Sequence, residues 1–415
     1  MTNANFIKPQ YDSATCFANI PPTIIHLLTG EDTPNRLPRE IFGDLPQRYQ
    51  KVVLLFVDAF GWHFFEKYAE RSVFLQEIIK NGAVAKLTSQ FPSTTAAHVT
   101  CIHSGLPVGQ HGVFEWQYYE PKLDAMITPL LFSFAGTMER ETLKPTGISA
   151  RDLVPNHTIY QTLQQHGVQS FIAQFAAYAQ SPYSELIGQG SRIVPYMTLP
   201  EILTNLRLAL IQSHSPTYFM LYYGSIDGVA HHYGPDSPQF EAEVEAFLAI
   251  LDRTFYQKIN NSFQDTLFLL TADHGQVTVS PKTAIHLNQD PRFNGIERYF
   301  KTSQKGDLLV PGGSPRDFFL YIKDDLLAEA QAFLTERLNG VADVRLVDDM
   351  IREGYFGPEP PSAAFMSRVG NLVILPYDGE TVWWYDPGRF EQKFYGHHGG
   401  LSPGEMEIPL LMYAF

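Results

Sequence analysis

The chain has 415 residues, 44% hydrophobic and 18% charged, enough apolar content for one large folded unit or two smaller ones. A formal net charge of −14 excludes nucleic acid and anionic membrane as general partners, though not a small anionic substrate held beside a cation. Two cysteines, Cys16 and Cys101, make neither a disulfide framework nor a thiolate metal cluster.

The opening MTNANFIKPQYDSATCFANIPP lacks the basic start and apolar run of a leader, and no later apolar run reaches membrane-helix length, so a cytoplasmic protein is expected. The first strong element is KVVLLFV (51–57), a short continuous apolar run of the buried parallel-strand type, ending in Asp58. A helical pattern follows over 64–80. SQFPSTTAAHVT (89–100) then places Ser93, Thr94 and Thr95 at the start of a helix that should run from about Thr95 to Gly105. Hydroxyls there serve as caps, but a helix N-terminus also offers free N–H groups to a phosphate. Strands are expected at 170–176, 217–225 and 265–275, with helices at 200–213 and 240–260 between them. This alternation predicts an α/β fold: a doubly wound, mostly parallel sheet with helices on both faces.

After residue 276 the chain turns Pro- and Gly-rich, while RDFFLYI, DLLAEAQAFLTERL and NLVILPYD carry their own strand and helix signals. We read a smaller inserted α+β subdomain over 280–392 within a single unit of 1–415, the chain returning to the main sheet at 395–415.

The acidic residues sit where strands end. Asp58, Asp227 and Asp273 each close an apolar run, and ligands of open α/β sheets bind at those carboxyl ends. In DGVAH, Asp227 and His231 share a helix face; His274 follows Asp273; GHHGG supplies His397 and His398. Histidine and carboxylate donors without cysteine suit zinc or a similar ion, and their number suits two ions roughly 3.5–4 Å apart, the arrangement of phosphoryl transfer.

The ordered series Asp58, FPSTTAAHVT, HGV, DGVAH, ADHG and HGG resembles the alkaline phosphatase superfamily, and within it the type I phosphodiesterase/nucleotide pyrophosphatase family, over about 51 to 415. The resemblance implies an alkaline-phosphatase-like fold and hydrolysis of phosphate esters through a phosphothreonine intermediate. It implies two divalent ions, zinc or alternatively manganese, and a small phosphorylated substrate such as a nucleotide. Thr95 falls on the nucleophile. Asp58, Thr95, Asp273 and His274 fall on one metal's ligands, and Asp227, His231 and His398 on the other's, with His397 as the alternative to His398. Ser93 and Thr94 are then turn or cap residues.

One departure stands out. The family's pyrophosphatases carry an asparagine shortly after the HG that follows the nucleophile helix; this chain reads HGVFEWQ, with Phe114, Glu115 and Trp116. A phosphomonoesterase, a phosphonate hydrolase and a phosphomutase of the same superfamily are therefore the alternatives. His98 and His103 are expected to pack, His111 to bond backbone in a loop, and His232 to point away. EAEVEAF should be a solvated face, 114–132 a substrate-covering loop or a core edge, and no spacing selects among Arg151, Arg192 and Arg298.

Overall fold

The computed structural model describes residues 5–259 and 263–415. Residues 1–4, the start of the segment read for a leader, and residue 260, the last of the expected 240–260 helix, lie outside it. Seven strands form the main sheet in the spatial order Ala83–Thr88, Glu407–Ala414, Thr266–Thr271, Lys51–Val57, Thr217–Tyr223, Gln169–Phe175, Arg192–Tyr196. Only Glu407–Ala414 runs antiparallel to its neighbours, so the sheet is mostly parallel, as expected.

The reason these runs are strands is burial on both faces. Val52, Val53, Leu54, Phe56 and Val57 are all fully buried under helices, which is why the run shows no alternation. Each such side chain taken from water stabilises the fold by about 1.5–3 kcal/mol. Register does the rest. Lys51 pairs with Thr217 on one side and Thr266 on the other, so three strands start level and end level.

Two helix boundaries differ from expectation. The 64–80 pattern is two helices, Trp62–Ala69 and Val73–Asn81, because the Ser72 hydroxyl accepts the Leu75 N–H at 3.3 Å and starts a new helix. The 240–260 pattern is Pro238–Ile250 followed by a wider turn, Leu251–Phe255.

The segment after 276 builds a four-stranded antiparallel sheet in the order Gly312–Ser314, Asp317–Leu320, Leu372–Pro376, Ala342–Leu346, beside the helix Leu327–Arg337. Its strands alternate between two apolar clusters. Phe318 and Ile374 face a local core with Leu334 and Trp383, while Phe319 and Val373 face the main core. This sheet is thus welded to the larger one.

Polar contacts reinforce the weld. The fully buried Arg316 guanidinium donates to Glu405 at 3.0 and 2.8 Å, and to the Tyr377 carbonyl at 2.6 Å. Glu405 also accepts the Gly400 N–H at 3.0 Å and the Ser402 hydroxyl at 2.7 Å, so one ion pair fixes the loop after His398. Nearby, Glu115 and Asp317 form a buried carboxyl pair against Thr94 and Ser314. Burial pushes the Glu115 carboxyl up from its ordinary 4.5 to about 7.

Two outcomes are expected. Arg316→Met leaves Glu405 charged and unpaired in the interior, and should cost about 3–5 kcal/mol in urea unfolding. A loss under about 1 kcal/mol would show the pair to be dispensable. Glu115 has a folded pKa above its unfolded one, so its contribution is fully present below about 4.5 and is lost as pH rises through about 7. Stability of the metal-free protein should fall between about pH 5 and about pH 8 by less in Glu115→Gln than in the parent. Equal falls would refute this.

Candidate active site

Level strand ends bring the chemistry together. Asp58 follows Lys51–Val57, Asp273 follows Thr266–Thr271 by one residue, and Thr217–Tyr223 leads into the helix Ser225–Tyr233 that carries Asp227 and His231. Ala83–Thr88 exits at the same edge and delivers residues 89–94 to the helix Thr95–Ser104. Thr95 is that helix's first residue, and Gly105 ends it in the left-handed conformation (φ 76°). Thr94 occupies the cap position, but its side chain does not cap the helix. The Ser93 hydroxyl donates to the Gly400 carbonyl at 2.8 Å and accepts the Gly399 N–H at 3.2 Å. It clasps the nucleophile turn to the loop that carries His398.

All seven residues expected at the site line one small volume. The Thr95 hydroxyl lies 3.4 Å from Asp58 Oδ1 and 3.3 Å from His274 Nε2. His274 Nε2 is 3.4 Å from both Asp58 Oδ1 and Asp273 Oδ2. Asp227 Oδ1 is 3.4 Å from His231 Nε2 and 3.7 Å from His398 Nε2. Donor atoms of Asp227, His231 and His398 fall within 4.8 Å of one another, as do those of Asp58, Asp227 and His274. Asp227 therefore stands between two donor groups.

Backbone carbonyls aim the three imidazoles. Nδ1 of His231 meets Gly396 O at 2.8 Å, that of His274 meets Gly275 O at 2.9 Å, and that of His398 meets Ser93 O at 2.9 Å. A carbonyl only accepts, so each Nδ1 carries the proton and each Nε2 points inward with a free lone pair. This is the tautomer a metal ligand requires.

The electrostatics point the same way. Burial, then Asp273 and Asp227, push the Asp58 carboxyl well above its ordinary range, although the Tyr222 hydroxyl donates to it. Burial raises Asp273 to about 7 and also raises Asp227. Burial holds His274 and His398 neutral, each well below the ordinary imidazole value, and their rings stack at 3.6 Å. Asp273 Oδ1 accepts the Ala59 and His274 N–H groups, while Oδ2 has no hydrogen-bond partner among the described residues. Crowded carboxylates, inward lone pairs and an orphaned oxygen fit a pair of divalent cations.

The other histidines weighed from the sequence stand outside both donor groups, although His103 lines the cavity beside them. His397 is not in either donor group; its Nδ1 bonds the His398 backbone at 3.0 Å. His98 is buried between the Thr94 carbonyl and Ser89, His103 bonds the Tyr160 hydroxyl at 2.6 Å, and His232 is exposed. His111 ends a one-turn helix, Val108–His111, and accepts the Val113 N–H.

A cavity of about 660 Å³ opens from Asp58, Thr95 and Asp227. Trp116, Leu130 and Leu131 line it, so part of 114–132 covers the site, while Phe114 is core and stacks on Tyr118. The helix read as a solvated acidic face is partly otherwise: Glu245 is exposed, but Glu243 lines the cavity and accepts the Tyr223 hydroxyl at 2.7 Å. Among the described residues, Arg151, Arg192 and Arg298 are absent from its wall, and Arg140 is the cation there. Sequence reasoning also passed over Tyr222 on Asp58 and Gln276 on Asp227. Tyr222 sits inside an unbroken apolar strand, where no contrast marks it.

Residues 52–401 match the family model of type I phosphodiesterase/nucleotide pyrophosphatase. No curated protein matches the chain by sequence. Among solved structures, the murine ectonucleotide pyrophosphatase/phosphodiesterase 5 is similar, with a TM-score of 0.62 and 18% identity over 88% of each chain. An inactive threonine-to-alanine form of that murine protein was solved in complex with AMP. Phosphonoacetate hydrolase from Sinorhizobium meliloti 1021 aligns with a TM-score of 0.59 and 18% identity, over 87% of this chain and 89% of its own. At these identities the likeness concerns the fold. The family match spans most of the chain, and the chain belongs to the type I phosphodiesterase/nucleotide pyrophosphatase family of phosphoester hydrolases.

Proposed function

We propose that this protein is a two-metal phosphodiesterase or pyrophosphatase that works through a phosphothreonine intermediate on Thr95. The observation that carries the reading is the placement of Thr95 Oγ1, at a helix N-terminus and 3.3–3.4 Å from two donors of the metal group. Asp58, Asp273 and His274 with Thr95 would hold one divalent ion, and Asp227, His231 and His398 would hold the other. When bound, such ions acidify a coordinated hydroxyl and neutralise the charge of a phosphoryl group in transfer.

The chain's own residues supply the rest. Asp58 and His274 fix the Thr95 oxygen, and the Tyr222 hydroxyl orients Asp58. N–H groups of the first helical turn face an incoming phosphoryl oxygen, which takes over part of the role of the missing asparagine. Thr95 attacks phosphorus and the ester oxygen leaves; water then attacks the phosphothreonine and restores the hydroxyl. The AMP held by the murine relative supports a nucleotide-like substrate. A cavity of about 660 Å³ is roomy for a two-carbon phosphonate and suits a diester arm.

The tests are direct. Thr95→Ala should lower hydrolysis of bis(4-nitrophenyl) phosphate by about a thousandfold or more. Circular dichroism should show the fold intact; retained hydrolysis would sink the mechanism. A chelator should abolish turnover, and zinc should restore it. With zinc loaded, the diester should be turned over faster than 4-nitrophenyl phosphate. A preference for the monoester would move the protein to the phosphatase alternative.

A further inference from the structure

The cavity beyond the metal-ligand cluster has an uneven wall. Of fifteen exposed large apolar side chains among the described residues, five line it: Trp116, Met138, Phe175, Tyr178 and Met197. Met138 and Met197 are 77% and 73% exposed, so this mouth offers aromatic and thioether surface to something absent from the chain itself.

Among the described residues lining the cavity, Arg140 is the single lysine or arginine. It is half-buried, and its Cζ lies 4.8 Å from the centre of the Tyr178 ring. It has no carboxylate partner among the described residues, whereas Glu243 on the same wall is taken by Tyr223. Stacking on a ring fixes the plane of a guanidinium and leaves its N–H edge free for an anion.

Position separates this cation from the reacting phosphorus. Tyr178 follows the strand Gln169–Phe175, which is two strands away from Lys51–Val57 and Asp58 in the sheet order. Two strand spacings are roughly 10 Å. An anion at Arg140 is therefore a second one, carried on the far end of a substrate arm.

We infer that Arg140, stacked on Tyr178, is a specificity-determining residue that selects a phosphodiester whose aromatic arm ends in a second anionic group, a carboxylate or a phosphate. The planar arm lies against Trp116, Phe175 and Tyr178, and its terminal anion takes the free edge of the guanidinium. This rests on the hydrolase reading above.

The experiment compares three 4-nitrophenyl phosphodiesters on zinc-loaded protein. Their second arms are phenyl, 4-carboxyphenyl and 4-(phosphonomethyl)phenyl. The parent should favour a charged arm, and Arg140→Gln should raise KM for that arm, lowering kcat/KM by about tenfold or more with kcat little changed. Turnover of the phenyl diester should stay within about twofold, since that arm makes no ion contact. Arg140→Lys should recover part of the loss. Preference for one anionic arm over the other identifies the terminal group as carboxylate or phosphate. Calorimetry with (4-carboxybenzyl)phenylphosphinate, whose two P–C bonds leave no ester to hydrolyse, gives a readout independent of turnover: parent binding should be about tenfold tighter than that of Arg140→Gln. Equal treatment of charged and neutral arms, or equal binding by parent and variant, overturns the inference. Failure to hydrolyse any of the three with metal bound overturns the hydrolase reading instead, and leaves the calorimetric comparison to decide Arg140.

Discussion

The arrangement depends on level strand ends. Lys51, Thr217 and Thr266 are paired side by side, so the strands they begin finish at one edge, and everything that follows them starts from there. A slip of one residue in either pairing would turn every side chain of that strand to the opposite face. Both faces are packed, so a slip would set every side chain against neighbours shaped for another. Precision at Asp58, Asp227 and Asp273 is thus a by-product of core packing several residues upstream.

Charge is concentrated where water is scarce. Asp58, Asp273, His274 and His398 are all less than 10% exposed, in a setting that penalises ionisation of every one of them. The protein meets that cost in two ways. Backbone N–H groups and the Tyr222 hydroxyl hold the carboxylates, and backbone carbonyls fix the tautomer and orientation of the imidazoles. Such a cluster is poorly satisfied by protein alone, which is the physical sense in which it is built for cations.

The main sheet was readable because its strands are continuous apolar runs bounded by polar residues, and the site because Asp58, Thr95, DGVAH, Asp273, His274 and His398 lie at the ends of those runs. What stayed hidden is of another kind. The break at Ser72 depends on one hydroxyl reaching one amide, inside a pattern that reads as continuous. Arg140 and Tyr178 are far apart in sequence and meet only through the topology. The buried Glu115 and Asp317 carboxyls oppose the ordinary expectation that acids are solvated. Glu243 belongs to a helix whose composition gives no hint that one acidic side chain faces a cavity.

The strand Glu407–Ala414 lies between Ala83–Thr88 and Thr266–Thr271 rather than at the sheet's rim. Without it, the Ala83–Thr88 strand and the nucleophile turn beyond it have no sheet partner to join. His398 arrives a few residues ahead of that same strand, on a loop clasped by Ser93 and Glu405. The segment that closes the sheet is therefore also the one that delivers His398 to Asp227 and His231. A change that frees this strand would loosen the nucleophile turn and the His398 loop together, while Asp58, Asp227 and His274 stand at the ends of other strands.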